Sequence, residues 1–165
     1  MDLLTEFQTY NRTRAAAYLV RKGVPEWVAE TCAATDIITT GTTWHPTLDA
    51  GQGAIIVPVT DAYENYIDLV AYLPNDPKRM YLRNGTGQFL GDLHLNWARV
   101  YQRTCIVHEN ACQWLLAGME GCVPLSTDAM TLFMGCTEIN TTPEMFNSIL
   151  RQLDLSYPRP KLVGA

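Results

Sequence analysis

The hydrophobic pattern changes its period at residue 54, and no other feature of the sequence restricts the fold as much. Residues 54–59 and 66–73 are runs of apolar and β-branched residues, separated by a short polar stretch. Runs of this length between turn-forming residues are typical of β-strands, and a third short run follows at 80–83. The sequence therefore predicts an antiparallel β-meander. Because proline cannot donate to a β-ladder, Pro58 predicts an edge position or a bulge.

Helical patterns precede the meander. In residues 2–22 the apolar side chains fall roughly on one helical face, and Gly23 follows them as a helix-ending glycine often does. Pro25, with an acidic residue after it, indicates a short second helix from 25 to about 34. Residues 39–53 are rich in threonine and glycine, and we expect them to form a loop.

Strand-like and helix-like stretches alternate in the last third of the chain. Strands are predicted at 104–107, 122–125 and 137–139, with helices at 110–119 and 127–134 between them. The last helix is predicted to begin at Thr141-Thr142-Pro143-Glu144, where a threonine cap precedes a first-turn proline and glutamate. Alternation with short connections predicts parallel strand pairing and right-handed crossovers.

The predicted fold class is therefore α/β, of the α+β type. The chain has 165 residues, of which 47% are hydrophobic, so it is long enough to bury a core without a disulfide or a structural metal. We expect one domain over residues 1–165. Its predicted parts are a helical part (1–53), the β-meander (54–100) and a strand–helix alternating part (101–165).

Charge and cysteine content restrict the partners and the compartment. The formal net charge is −5, whereas domains that grip nucleic-acid phosphates usually carry a basic excess, although a local basic face remains compatible with this value. The five cysteines are odd in number and lie in or beside apolar stretches, which is typical of reduced, buried thiols. With no signal-peptide pattern and no apolar run near 18 residues, we expect a cytoplasmic protein without a membrane segment.

Two segments, taken in order, resemble the catalytic core of bacterial DNA primases. The first has an apolar strand with a proline, a second strand and a Lys-Tyr-Leu-like segment, at 54–61, 67–72 and 78–83. The second resembles the opening of a Toprim domain, with a strand ending in Cys105-Ile106-Val107-His108-Glu109-Asn110, a helix, a glycine and the next strand at 122–125. Residues 18–25 resemble the helix end that precedes such cores.

The resemblance implies a reduced Toprim-like sheet. A working Toprim site needs a glutamate after its first strand and an Asp-x-Asp pair that holds Mg²⁺. Glu109 stands at the glutamate position, but the chain contains no Asp-x-Asp and offers only the isolated acids Asp128 and Glu138. The resemblance therefore implies a non-catalytic protein of phage or mobile-element type. It implies no cofactor, with Mg²⁺ only if the reduced site still binds it.

Two groups of candidate site residues follow. His108, Glu109, Asp128 and Glu138 are expected at the mouth of the alternating sheet, because such sheets bind ligands at the carboxyl ends of their strands. The alternative for Glu109, which is also the candidate catalytic residue, is that it caps the following helix.

A basic and aromatic set is the candidate for binding nucleic acid. Its members are Lys78, Arg79, Tyr81, Arg83, Arg21 and Lys22. Aromatic rings stack on bases while cations follow the backbone of a single strand. The alternative is a solvated basic face with core aromatics.

Two further patterns have weaker functional interpretations. Cys105, His108 and Cys112 have metal-like spacing, with Cys122 downstream, but their expected positions suit a core better than a zinc site. Gly85-x-Gly87-x-x-x-Gly91 follows a strand without a clear helix after it, so we expect a loop rather than a phosphate site.

Three functions follow from these patterns. The first is binding of single-stranded or duplex nucleic acid, or of the replication machinery. The second is an acidic interaction module that inhibits or titrates a host protein, which the charge of −5 favours. The third is an active nuclease or nucleotidyltransferase with Glu109, Asp128 and Glu138 as rearranged metal ligands.

Overall fold

The computed structural model describes residues 2–156. The N-terminal half contains three short helices and five strands: α1 (Leu3–Gln8), α2 (Arg12–Arg21), α3 (Glu26–Ala29), β1 (Ala33–Thr40), β2 (Thr43–Pro46), β3 (Gln52–Thr60), β4 (Tyr66–Leu73) and β5 (Asp76–Leu82). The C-terminal half alternates shorter elements: β6 (Phe89–Leu90), α4 (Asp92–Val100), β7 (Cys105–Ile106), α5 (Ala111–Leu116), β8 (Val123–Pro124), a 3₁₀ helix (Asp128–Phe133), β9 (Ile139–Asn140) and α6 (Pro143–Ser156). The predicted α/β class with N-terminal helices is confirmed.

The single helix predicted over 2–22 is wrong, because the chain forms two helices there. Asn11 interrupts it: its backbone N–H donates to Ala34 O at 3.0 Å, and its carbonyl accepts from Ala34 N at 3.0 Å. The Asn11 side chain then caps α2 by accepting from Arg14 N at 2.8 Å. Pairing with β1 therefore replaces one helical turn with a bridge.

The loop predicted at 39–53 is also wrong, as is the helix predicted as far as residue 34. Helix α3 ends at Ala29, and β1 and β2 form a hairpin that turns at Gly41, whose φ of 61° suits glycine. The threonines of this region are β-branched, and they fit a pleated surface once β3 pairs with β1.

The predicted meander β3–β4–β5 is confirmed as part of a closed barrel. The strand order is β1-β2-β5-β4-β3, and β3 pairs back with β1. Neighbouring strands are antiparallel except β2 and β5, which meet in parallel at Thr43 and Leu82. Pro58 lies beyond Ile56, the last β3 residue that pairs with β1, and just before a bulge at Val59, so its predicted position is confirmed.

Side chains alternate between two cores across the barrel wall. Ile56 belongs to an inner cluster with residues from all five strands, which Phe7 of α1 joins. Its neighbours Ile55 and Val57 face outward and pack with residues of α2, α3 and α5. The barrel is therefore filled by its own side chains and covered by helices on one side.

The C-terminal half has its own core, to which Phe89, Phe133 and Ile149 contribute. The predicted alternating strands are present, but each contains only two residues. Strand β7 pairs in parallel with β9, as predicted, and an isolated parallel bridge joins Val107 to Cys122. None of the helices between residues 2 and 156 combines the length and apolar character that a membrane crossing requires.

Candidate nucleic-acid interface

Three of the four candidate mouth residues form hydrogen bonds with different partners. His108 Nε2 lies 2.8 Å from the Glu120 carbonyl, Glu109 accepts a hydrogen bond of 2.7 Å from the Thr142 hydroxyl, and Glu138 accepts one of 3.1 Å from Thr104. Asp128 is exposed in the first turn of the 3₁₀ helix. Within residues 2–156, no three histidine, cysteine or carboxylate side chains are placed to hold a metal ion. The proposed rearranged metal site therefore does not form among them.

Glu109 is also not the cap of α5. That role belongs to Asn110, whose side chain accepts a hydrogen bond of 3.0 Å from Gln113 N. Glu109 instead lines a cavity of about 540 Å³ together with Lys78 and Glu144. The structure thus brings two of the candidate residues, Lys78 and Glu109, to the same cavity.

The candidate nucleic-acid residues are spread over separate surroundings. Arg79 forms an exposed ion pair of 3.3 Å with Asp76, Tyr81 packs against the barrel interior, Arg21 donates to the Ala17 carbonyl, and Lys22 lies 5.7 Å from the Tyr18 ring centre. None of these contacts involves Arg83, and the predicted binding role of the set stays a prediction.

Arg83 follows β5 and contacts residues of α1 and β2. Its Nε donates to Glu6 Oε1 at 2.8 Å, its Nη1 donates to His45 Nδ1 at 3.2 Å, and its guanidinium lies over Trp44. Tyr10 also donates to Glu6. Burial raises the pKa of Glu6, but the hydrogen bonds from Tyr10 and Arg83 outweigh burial and hold the pKa below its usual range. Arg83 is thus matched by a carboxylate inside the fold.

The cysteine pattern separates into two places. All five cysteines are free thiols, with Cys105 Sγ 3.8 Å from Cys122 Sγ, while Cys112 packs against the outer barrel core. Contact with the Cys122 thiol is the main cause that raises the pKa of Cys105 to about 12. His108 bonds to Glu120, so the metal-like spacing does not bring its members together.

The glycine-rich segment is a loop, as predicted, and a carboxylate of the chain itself occupies its N–H groups. Asp68 is fully buried and accepts hydrogen bonds from the backbone of Leu69, Asn84, Thr86 and Gly87 at 2.7–2.9 Å. A phosphate has no vacant donors at the three loop positions. The expectation that no helix follows Gly91 is wrong, because α4 begins at the next residue.

Helix α4 presents an aromatic face that the candidate list missed. Leu95 and Ala98 are buried in the C-terminal core, whereas Trp97 is 40% exposed, Val100 63% and Tyr101 62%. Residues three and four apart lie on the same side of a helix, so these three side chains form one surface. We call Trp97, Val100 and Tyr101 the α4 face.

The end of α4 brings a cation to this face. Gln102 has a φ of 51°, in the left-handed region that favours glycine, and the next residue turns back so that Arg103 N donates to Ala98 O at 3.1 Å. The Arg103 guanidinium then lies 5.6 Å from the Tyr101 ring centre. A cation over a tyrosine ring is attracted to its π-electrons.

His94 borders the same face. Its ring centre is 5.4 Å from that of Trp97, with an angle of 49° between the planes. His94 Nδ1 lies 2.9 Å from Gly121 N and 3.1 Å from Gly121 O. Because the Gly121 N–H points at Nδ1 and Gly121 O already accepts from Trp114, we assign the hydrogen of the neutral ring to Nε2. A cavity of about 180 Å³ lies between α4 and the start of β7, lined by His94, Trp97, Ala98, Arg103, Thr104, Cys105, Ile106, Glu120 and Gly121.

Arg103, the cation that contacts the α4 face, has no ion-pair partner among residues 2–156. The three ion pairs among residues 2–156 are Arg14–Asp36, Arg79–Asp76 and Arg83–Glu6, so none includes Arg99 or Arg103. Glu120 lines the cavity and is exposed. No family model matches this chain, and no curated protein or solved structure matches it either.

Proposed function

We propose that this chain acts by binding, and that its ligand is single-stranded nucleic acid held on the α4 face. The observation that carries the proposal is the exposure of Trp97 and Tyr101, one helical turn apart, beside Arg103, which forms no ion pair in the described chain. The resemblance of the sequence to primase cores motivates the same ligand. The basic candidates of β5 contribute less, because Arg83 is already paired with Glu6.

Stacking supplies most of the expected affinity. Every base has a π-face, and each base–aromatic stack is worth about 1–3 kcal/mol. Each ring has a neighbouring side chain that restricts its orientation: Trp97 contacts His94, and Tyr101 contacts Arg103. A pre-ordered ring loses little entropy when a base stacks on it.

Electrostatics supplies a smaller part. Arg103 is the cation that contacts the α4 face, while the whole chain carries −5. For a single strand, the logarithm of affinity falls with the logarithm of salt concentration at about −0.7 per phosphate contact, so one contact through Arg103 gives a slope of about −0.7. Duplex DNA, whose bases are covered, should bind more weakly than a single strand.

The test is fluorescence anisotropy with labelled single-stranded and duplex DNA over a series of salt concentrations. Trp97→Ala should weaken single-strand binding about tenfold, because one stack is lost. Trp27→Ala is the matched control, since Trp27 is also exposed, at 59%, but belongs to α3. Equal binding by the two variants, or no binding of the unaltered protein at low salt, would contradict the proposal.

A second candidate function rests on a different surface. A groove of about 660 Å³ lies beside α2 and α3 and is lined by Arg12, Thr13, Ala16, Ala17, Val20, Glu26 and Glu30. Val20 is 45% exposed. Apolar grooves of this kind accept an amphipathic helix, and the glutamates favour one with basic side chains.

This surface would make the chain an acidic interaction module that inhibits or titrates a host or replication protein. Isothermal titration with an amphipathic Leu/Lys helical peptide tests it, with a Leu/Glu peptide of the same pattern as control. Binding of the basic peptide that is lost in Val20→Arg, which places a cation in the groove, and kept in Trp97→Ala would favour this function over nucleic-acid binding.

The cytoplasm is the compartment that we propose for either activity. All five cysteines are free thiols, and Cys105 and Cys122 lie 3.8 Å apart without a bond. Thiols at such a separation persist in a reducing compartment, where disulfides are rare.

A further inference from the structure

The cavity beside Trp97 contains hydrogen-bond donors that no described residue uses. His94 Nε2 carries a hydrogen because Nδ1 accepts from Gly121, and residues 2–156 offer Nε2 no acceptor. The Arg103 guanidinium likewise has no carboxylate or carbonyl partner among them and contacts only the Tyr101 ring. Two donors, one of them a fixed positive charge, therefore line a space in which Glu120 is the one carboxylate of the lining.

The size of the cavity limits what can fill it. Its volume of about 180 Å³ is below the range of roughly 300–1,000 Å³ that pockets for drug-sized molecules occupy. A nucleoside with its sugar is therefore too large, whereas a phosphate group fits. A phosphodiester inside a strand carries a nucleoside on each side, so a phosphate at the end of a strand has fewer attached groups to accommodate beside the cavity.

Charge favours the same group. Glu120 lines the cavity, and its carboxylate repels any anion that enters. A phosphomonoester carries about −1.5 to −2 at neutral pH and presents three acceptor oxygens, while a phosphodiester carries a single charge. The larger charge is attracted more strongly by Arg103 and repelled more strongly by Glu120. The third acceptor oxygen of the phosphomonoester, which a phosphodiester lacks, adds a partner for the His94 Nε2 hydrogen.

We infer that this cavity is a subsite for the terminal phosphate of a single strand whose end bases stack on the α4 face. The inference rests on the proposed single-strand binding and adds end recognition to it. Arg103 bridges the two parts, because it contacts the Tyr101 ring and also lines the cavity. A strand that ends in a phosphate would then bind with its last base near Trp97.

The experiment compares three oligothymidylates of one length with an internal label. One ends in a 5′-phosphate, one in a 3′-phosphate and one in hydroxyl groups at both ends. Anisotropy should show that one of the phosphorylated strands binds about tenfold more tightly than the hydroxyl strand, since one charge-assisted group is added. Excess inorganic phosphate should remove that preference by competing for the cavity.

Two variants with opposite expected signs locate the subsite. Arg103→Gln should abolish the preference for a phosphate end, and Glu120→Gln should increase it by removing the repelling charge. A gain in the second variant is not a result of misfolding. Arg79→Gln, which changes an exposed arginine paired with Asp76, should leave the preference unchanged.

The outcomes separate the two proposals. If none of the strands binds, single-strand binding fails and end recognition fails with it. If all three strands bind equally, or if Glu120→Gln leaves their ratios unchanged, only the terminal-phosphate subsite is overturned.

Discussion

Arg83, after the last barrel strand, and Arg103, after α4, both place a guanidinium beside an aromatic ring. The distances to the ring centres are nearly equal, 5.8 Å to Trp44 and 5.6 Å to Tyr101. The Arg83 side chain, however, is only 22% exposed and pairs with Glu6, whereas Arg103 is exposed and belongs to none of the ion pairs in the described chain. The same local pattern thus supports the fold in one place and is open to a ligand in the other.

The backbone beside the two arginines differs as well, since regular sheet precedes Arg83 and a turn precedes Arg103. Arg83 follows β5, a strand of seven residues in a closed barrel. Arg103 lies between α4 and β7, a strand of two residues, and follows Gln102 with its left-handed φ of 51°. Strained backbone and segments of low local stability are more common at binding sites than in the extended strands of a stable sheet.

The largest effect is expected when the buried Asp68 carboxylate is removed from the barrel half. Asp68→Ala leaves four backbone N–H groups, two of them buried, without their acceptor, so we expect a loss of about 3 kcal/mol in the free energy of unfolding. Urea denaturation measures it. Asp76→Ala, at an exposed ion pair, is the control and should cost less than about 1 kcal/mol.

The comparison of the arginines is tested next by the same substitution at both. Arg83→Met leaves the Glu6 carboxylate half-buried without its cation and should lower the free energy of unfolding by about 2 kcal/mol, without a change in single-strand binding. Arg103→Met should change stability by no more than about 0.5 kcal/mol but weaken binding. Equal losses of stability would show that the distinction between the two arginines is mistaken.

A smaller effect is expected at the strained turn after α4. Gln102→Gly should raise the free energy of unfolding by about 1 kcal/mol, because glycine adopts a positive φ without a steric penalty. In a chain of this size the melting temperature should rise by about 2–4 °C. Gly85→Ala, at a φ of 74° with no atom nearby, should have the opposite sign, and a loss of stability in both variants would contradict this explanation.

The smallest effect is the contribution of the Glu6–Arg83 ion pair to the pH dependence of stability in acid. The pKa of Glu6 is lower in the folded chain than in the unfolded chain, so its contribution is present above the unfolded pKa. It is lost as pH falls through the lowered folded pKa. Glu6→Gln should therefore flatten the decline of the urea midpoint in acid, and an unchanged pH profile would show that Glu6 contributes nothing there.

Strands and helices with strong local patterns could be predicted from the sequence. Strand β4 was predicted at 66–73 and has those bounds, because a continuous apolar run lies between turn residues. Helix α6 begins at Pro143, where the threonine, proline and glutamate signals predicted it. Strand β1 was missed because its threonines lack a clear apolar alternation, and its pairing with β3 supplies what the local pattern does not.

The candidate site was predictable only in part. The basic cluster around Arg83 was visible, but Glu6, its partner, stands 77 residues earlier in the chain. Helix α4 was missed because glycine and aspartate at its start resemble a loop, although Gly91 is required there: an added Cβ would lie 2.1 Å from Gly121 O. The sequence did contain a signal for this face: two aromatic residues four positions apart, at 97 and 101, are followed by Arg103. Four residues are one helical turn, so a helix predicted there would have placed both rings on one side.

By itself, the sequence determined what depends on neighbours along the chain: the strands of the meander, the start of α6, and the lack of an Asp-x-Asp pair for two-metal chemistry. The tertiary structure decided that the meander closes into a barrel, that Arg83 is matched, and that Trp97, Tyr101 and Arg103 share an exposed edge. The physical reason is distance along the chain. Local propensity acts over a few residues, whereas pairing of charges and exposure of rings depend on residues that only folding brings together.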